Sequence, residues 1–130
     1  MKNMKKVNLS DAEWKVMNLL WEEAPRTMMQ ITNALKEETG WTKHTVMSFL
    51  KRMEEKGALH YAEGEKARLY YPDLKREEAA LRETEDFLDR VFQGKMGMML
   101  NTMVQQRALS REDLEELHKI LERVGTDPAD

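Results

Sequence analysis

The sequence predicts a mainly α-helical protein carrying one small β-hairpin, and three observations predict it. Apolar residues recur at helical spacing along most of the chain, and hydroxyl residues with an acidic or amide side chain three positions on open several of these repeats. A single stretch, "ALHYAEGEKARLYYP", instead alternates with period two around a polar tip.

In "LSDAEW", Ser10 caps, Glu13 stands three residues on, and Leu9 is placed to pack on Trp14, a capping box with a hydrophobic staple. Trp14, Met17, Leu20 and Trp21 then mark one side of a helix from Asp11 to Glu23, which "AP" stops. In "RTMMQI", Thr27 caps and Gln30 reciprocates, and Met28, Ile31 and Leu35 form the apolar side of a second helix that Gly40 closes. Thr42 caps a third helix, "TKHTVMSFLKRMEEKG", whose inner face is Val46, Phe49, Leu50 and Met53 and whose end is Gly57.

In the hairpin, Leu59 and Tyr61 alternate with His60 and Ala62, while Ala67, Leu69 and Tyr71 alternate with Arg68 and Tyr70, so Tyr70 is expected to face outward. Pro72 cannot extend a central strand and marks the end of the first module. Helical spacing resumes in Leu81, Thr84, Phe87, Leu88, Val91 and Phe92, up to a break at Gly94–Gly97. One shorter helix carries Met99, Leu100, Met103 and Val104. Another opens at Ser110, with Asp113 three later, and is expected to bury Leu114, Leu117, Ile120, Leu121 and Val124. The final "GTDPAD" is expected to fray into a disordered tail.

The division expected is therefore residues 1–72 as one module and residues 73–130 as a second, helical one. At 130 residues the chain allows one ordinary domain, or a small domain with an appendage, but not two independent cores. Its 41% hydrophobic and 35% charged content is that of a globular chain, and no apolar run approaches the roughly 18 residues a membrane span needs. The basic start leads into an amphipathic helix rather than an apolar signal core, which places the expected location in the cytoplasm, without membrane insertion.

Cysteine is absent, which excludes disulfides, thiolate metal sites and a cysteine nucleophile. His44, His60 and His118 lack ligand spacing, so no metal and no cofactor is expected. Carboxylates fall in solvated helical patterns such as "REDLEE", and no nucleophile, base and orienting group stand together, which argues against an enzyme. Net charge is −3, yet residues 1–76 hold 14 Lys/Arg against 11 Asp/Glu, while residues 77–130 hold 7 against 13. A basic front and an acidic back fit a binding module joined to a segment that avoids the same partner.

Helix, helix, tight turn, helix and hairpin is the order of a winged helix-turn-helix, whose third helix enters the DNA major groove. On that helix His44, Met47, Ser48 and Lys51 lie opposite the apolar face, with Thr45 and Arg52 at the flanks, and acidic residues appear only as Glu54 and Glu55. His44 and Ser48 suit base edges, Met47 a thymine methyl, and Lys51 and Arg52 phosphates. Thr42 and Lys43 at the helix start, and Lys66 and Arg68 in the wing, complete the candidate contacts to double-stranded DNA. The competing readings are a merely solvated face and a winged-helix protein-interaction module that never meets DNA. For Met28, Met99 and Met103 the expected role is adaptable core filler.

Three helices in about 50 residues cannot bury broad apolar faces in a core of their own, so a partner is implied, most simply a second copy. A homodimer would pair two recognition helices on an inverted repeat. The candidate contacts are Phe87, Val91, Met99, Leu100, Met103, Leu114, Leu117 and Leu121.

"LSDAEWKVMNLLW", "WTKHTVMSFLKRMEEKG", "FLDRVFQGK" and "LSREDLEELHKIL" resemble, in order and spacing, the penicillinase repressors of bacteria, the BlaI/MecI type, over residues 8–122. The resemblance implies a winged-helix N-terminal domain, a helical dimerisation domain, and repression at palindromic operators of TACA/TGTA half-sites. It also implies induction by a membrane sensor of β-lactams and a sensor-linked protease that cuts the dimerisation domain after an Asn. Here Leu100-Asn101-Thr102-Met103 keeps that Asn without the aromatic that follows it in the family, which makes Asn101 and Thr102 the candidate cleavage position. His44 and Met47 stand where the family often carries Lys or Arg, which implies a different operator preference. Without cysteine, the metal-responsive mode of the related copper-responsive repressors does not apply.

Overall fold

Short-range capping chemistry sets the helix starts. In the computed structural model, which describes residues 7–125, Ser10, Thr27 and Thr42 each accept a hydrogen bond from the backbone N–H three residues on, at 3.2, 3.1 and 3.3 Å. The helices behind them are α1 (Asp11–Glu22), α2 (Met28–Thr39) and α3 (Lys43–Glu55). Glu13 and Gln30 return the bond to the cap N–H at 3.0 and 2.8 Å, completing the boxes of α1 and α2. In α3 the third position is Thr45, whose hydroxyl meets that of Thr42 at 3.3 Å instead. Gly40 and Gly57 follow α2 and α3 with φ of +70° and +83°, a region an L side chain enters only with strain.

Strands β1 (Leu59–Glu63) and β2 (Arg68–Pro72) form the hairpin, followed by α4 (Arg76–Phe92), α5 (Met96–Gln105) and α6 (Arg111–Gly125). The chain divides into two compact units at Glu83/Thr84, within α4. Of the tail expected to fray, Gly125 is the last residue of α6 and residues 126–130 lie outside those described.

The first unit has a single core. Val16, Met17 and Leu20 of α1, Ile31 and Leu35 of α2, Val46, Leu50 and Met53 of α3, and Ala58, Leu59 and Tyr70 all bury. Trp14 and Trp21 are half-buried, with ring centroids 5.7 Å apart. The Trp21 indole N–H donates to the Leu74 carbonyl at 2.9 Å. One expectation fails here: Tyr70 is 6% exposed and faces the core. The register pairs Leu59 with Pro72, Tyr61 with Tyr70 and Glu63 with Arg68, and residues directly opposite share a face. Tyr70 therefore turns inward with Leu59 and Tyr61, while Leu69 and Tyr71 take the other face, where Tyr71 stacks on His60 at 5.2 Å. A phase error of one residue exchanges the faces of a strand. Tyr70 is also tied from its far side, since its N–H donates to the Arg26 carbonyl at 2.9 Å and its carbonyl accepts from the Arg26 N–H at 3.2 Å.

In the second unit, the reversal after α4 is made by Gln93 and Gly94, with φ of 52° and 80°. The break is thus shorter than the Gly94–Gly97 span expected, because Gly97 already lies in the first turn of α5. Ser110 caps α6 as expected, exchanging bonds of 3.0 and 3.1 Å with Asp113. Leu88 is buried, but α5 and α6 contain no buried residue.

Candidate nucleic-acid interface

Helix α3 is held on three sides. Val46, Leu50 and Met53 are buried to 0–1% exposure. The Trp41 ring lies 4.9 Å from that of Phe49, beside the turn that leads into the helix. At the other end, the Lys56 ammonium meets Glu13 Oε1 at 2.7 Å and donates to the Asn8 carbonyl at 2.9 Å. Glu13 is fully buried, and its Oε2 has no hydrogen-bond partner among the described residues. Burial works to raise the Glu13 carboxyl pKa, but the Lys56 ammonium and the Ser10 N–H outweigh it and hold the group below the usual glutamate range.

This anchoring leaves one side of α3 to solvent. Thr42, Lys43, His44, Met47, Ser48, Lys51 and Arg52 are exposed, and Thr45 is half-buried. At 3.6 residues per turn, His44, Met47, Ser48 and Lys51 fall on one stripe opposite Val46, Leu50 and Met53. The Arg52 guanidinium lies 5.7 Å over the Phe49 ring at the flank. From Thr42 to Met53 the helix carries no carboxylate, and Glu54 and Glu55 are confined to its last turn. Such a face approaches phosphates without like-charge repulsion and offers donors, acceptors and an apolar group to base edges.

Lys66 is exposed at the hairpin tip. Gly64 N–H donates to the Ala67 carbonyl at 3.0 Å, and a Cβ on Gly64 would stand 2.5 Å from that oxygen, so the tight tip requires glycine. Arg68 lies 4.1 Å over the Tyr61 ring and 3.6 Å from Glu63. The neighbouring Tyr70 side chain holds its pKa above the ordinary arginine range. The fold brings Met47 and Arg68, expected on separate elements, into one cleft with Met28, Met29, Ala67 and Tyr70. Sequence reasoning missed Met29, Arg26 and the Glu13–Lys56 pair; only Glu13 carried a local signal, its place in the capping box.

The residues expected to dimerise sit on open surfaces. Phe87 and Val91 of α4 are 39% and 44% exposed, and Leu114 and Leu121 of α6 are 43% and 59% exposed. Met99, Leu100, Met103 and Leu117 are half-buried. Asn101 and Thr102 are exposed in the middle of α5, with the Thr102 hydroxyl donating to the Met98 carbonyl at 2.9 Å. Among the described residues no helix is long and apolar enough to cross a membrane.

Three capped helices packed on a β-hairpin, with the third helix presenting a polar and basic outer stripe, define a winged helix-turn-helix protein. Comparison with known proteins narrows the class. The penicillinase repressor family matches residues 9–123, and the chain belongs to that family. It is 28% identical over 120 residues to the penicillinase repressor of Bacillus licheniformis, covering 92% of this chain and 94% of that one. It is 24% identical over 119 residues to the methicillin resistance regulatory protein MecI of Staphylococcus aureus strain N315, covering 92% and 97%. A solution structure of the monomeric form of Bacillus licheniformis BlaI in complex with the blaP half-operator is similar at a TM-score of 0.52 and 25% identity, covering 58% of this chain and 93% of that one.

Proposed function

We propose that this chain is a homodimeric transcriptional repressor that occupies palindromic operator DNA, with residues 1–72 reading the half-site and residues 73–130 forming the dimer. The observation that carries the reading is the outer stripe of α3, exposed and free of carboxylate over its first two turns. His44 and Ser48 bond base edges, Met47 packs on a thymine methyl, and Lys43, Lys51, Arg52, Lys66 and Arg68 hold phosphates. Thr42 and Thr45 line the helix start, where backbone N–H groups favour a phosphate. The half-operator complex of the Bacillus licheniformis relative supports a unit of this size engaging one half-site. The half-sites are of the TACA/TGTA type implied by the family, with a preference shifted by His44 and Met47.

Dimerisation follows from the open apolar faces of α4, α5 and α6, which a second copy would cover. Doubling the winged units raises affinity through effective concentration. Induction in this reading is cleavage between Asn101 and Thr102 by a sensor-linked protease. That bond is exposed but helical, so cleavage requires local opening of α5. The protein acts in the cytoplasm as a regulator and not as an enzyme.

The test is an anisotropy titration of the protein against a TACA/TGTA palindrome and a scrambled duplex at several salt concentrations. Tighter binding of the palindrome is expected, and equal affinity for both would sink the assignment.

A further inference from the structure

The cleft between α3 and the wing has a volume of about 380 Å³ and is lined by Met28, Met29, Met47, Ala67, Arg68 and Tyr70. Its walls are fixed by backbone, because the paired bonds between Arg26 and Tyr70, 2.9 and 3.2 Å long, bind the residues just before α2 to β2. The lining consists of three thioethers, a tyrosine ring, a methyl group and one charged group, the Arg68 guanidinium. Small-molecule sites share this make-up, mostly apolar with one or two placed polar groups, and begin at roughly 300 Å³. An apolar cavity of about 150 Å³ already holds benzene, so this one has room for two fused rings.

The charge narrows the occupant. Arg68 Nε lies 3.6 Å from Glu63, but among the described residues no carboxylate lines the cleft itself. A guanidinium carries five N–H donors in a planar fork, so the contact with Glu63 leaves donors for a further carboxylate. Thioethers are flexible, polarizable and favourable against ring edges.

We propose that the cleft is an effector site for a small aromatic carboxylate, its rings against Met28, Met29, Met47 and Tyr70 and its carboxylate on Arg68. Met47 and Arg68 belong to the DNA-facing set, so occupation of the cleft excludes operator DNA; this second half rests on the function proposed above.

The experiment is a titration of the full chain, labelled with carbon-13 in its methionine methyl groups, with 2-naphthoate. The Met28, Met29 and Met47 signals are expected to move together and saturate, while buried Met17 and Met53 stay. Arg68→Gln should weaken naphthoate binding at least about tenfold, the effect of removing a charge-assisted bond. The uncharged 2-naphthamide should bind parent and variant alike. Met29→Glu, which puts a carboxylate in the cleft, should abolish the naphthoate shifts. Non-saturating shifts that include Met96 and Met98 to the same extent would overturn the site, as would equal naphthoate affinity in Arg68→Gln. In a parallel anisotropy measurement, naphthoate should release bound duplex. Naphthoate that saturates the cleft without releasing duplex overturns the effector role. A protein that binds naphthoate but no duplex at all upholds the site and refutes the DNA-binding reading instead.

Discussion

Replacing Lys56 by Met strands the Glu13 carboxylate inside the protein. Glu13 is fully buried, its Oε1 is shared by the Lys56 ammonium at 2.7 Å and the Ser10 N–H at 3.0 Å, and nothing described bonds its Oε2. Breaking a buried ion pair by removing one partner costs about 3–5 kcal/mol. The Lys56 side chain is 32% exposed, so water screens part of the interaction, and about 2–3 kcal/mol is the expected loss. For a unit of this size that corresponds to a fall in Tm on the order of 10 °C. The pH dependence has a definite sign. The folded-state pKa of Glu13 is depressed below 4.5, so its stabilisation is present above the unfolded value and is lost as pH falls through the folded one. In Lys56→Met, burial is opposed by only the Ser10 bond and the Arg52 charge, the carboxyl shifts upward, and the gap from the parent protein is widest near neutral pH and closes in acid. The assay is thermal denaturation by circular dichroism at several pH values for Lys56→Met, Glu13→Gln and the double variant. Glutamine also serves in a capping box, so the double variant should recover most of the loss. A Lys56→Met penalty below about 1 kcal/mol, or one unchanged between neutral pH and pH 4, would refute the reasoning.

Further outcomes concern the interface and the dimer. Lys51→Ala should weaken binding to every duplex and lower the slope of log K against log salt by about 0.9, read by anisotropy; an unchanged slope would remove Lys51 from the phosphate contacts. His44→Ala and Ser48→Ala should alter preference among half-site variants, and a uniform loss across all of them would contradict base reading. Leu117→Asp should sediment as a monomer; a persisting dimer would move the interface elsewhere. Gly64→Ala should cost about 1–2 kcal/mol, with amide shifts concentrated in the hairpin, because the added carbon meets the Ala67 carbonyl at 2.5 Å. An unchanged Tm would show that the tip has room to relax.

The features legible in the sequence are those set by short-range chemistry. The boxes at Ser10 and Thr27, the Thr42 cap and the Ser110–Asp113 exchange join residues three apart, and each appears in the structure with the partners expected. The stripe of His44, Met47, Ser48 and Lys51 was equally readable, because helical periodicity alone separates it from Val46, Leu50 and Met53. The phase of β2 was not. Which side Tyr70 takes depends on how many residues the tip consumes and on pairing with Arg26, and neither leaves a mark in the alternation. The Glu13–Lys56 pair joins residues 43 apart, and Met29 enters the cleft only because the wing folds back on the start of α2.

The two short connections around α3 also govern how this protein can change. Gly40, Trp41 and Thr42 supply a left-handed terminator, a ring against Phe49 and a helix cap; Lys56, Gly57 and Ala58 supply an ion pair, a second left-handed residue and a buried methyl. With all six positions occupied in this way, an inserted or deleted residue has nowhere to be absorbed between Met28 and Pro72 except the hairpin tip. New sequence preferences must then arise by point substitution on the outer stripe of α3, and length variation among descendants should collect at residues 64–67.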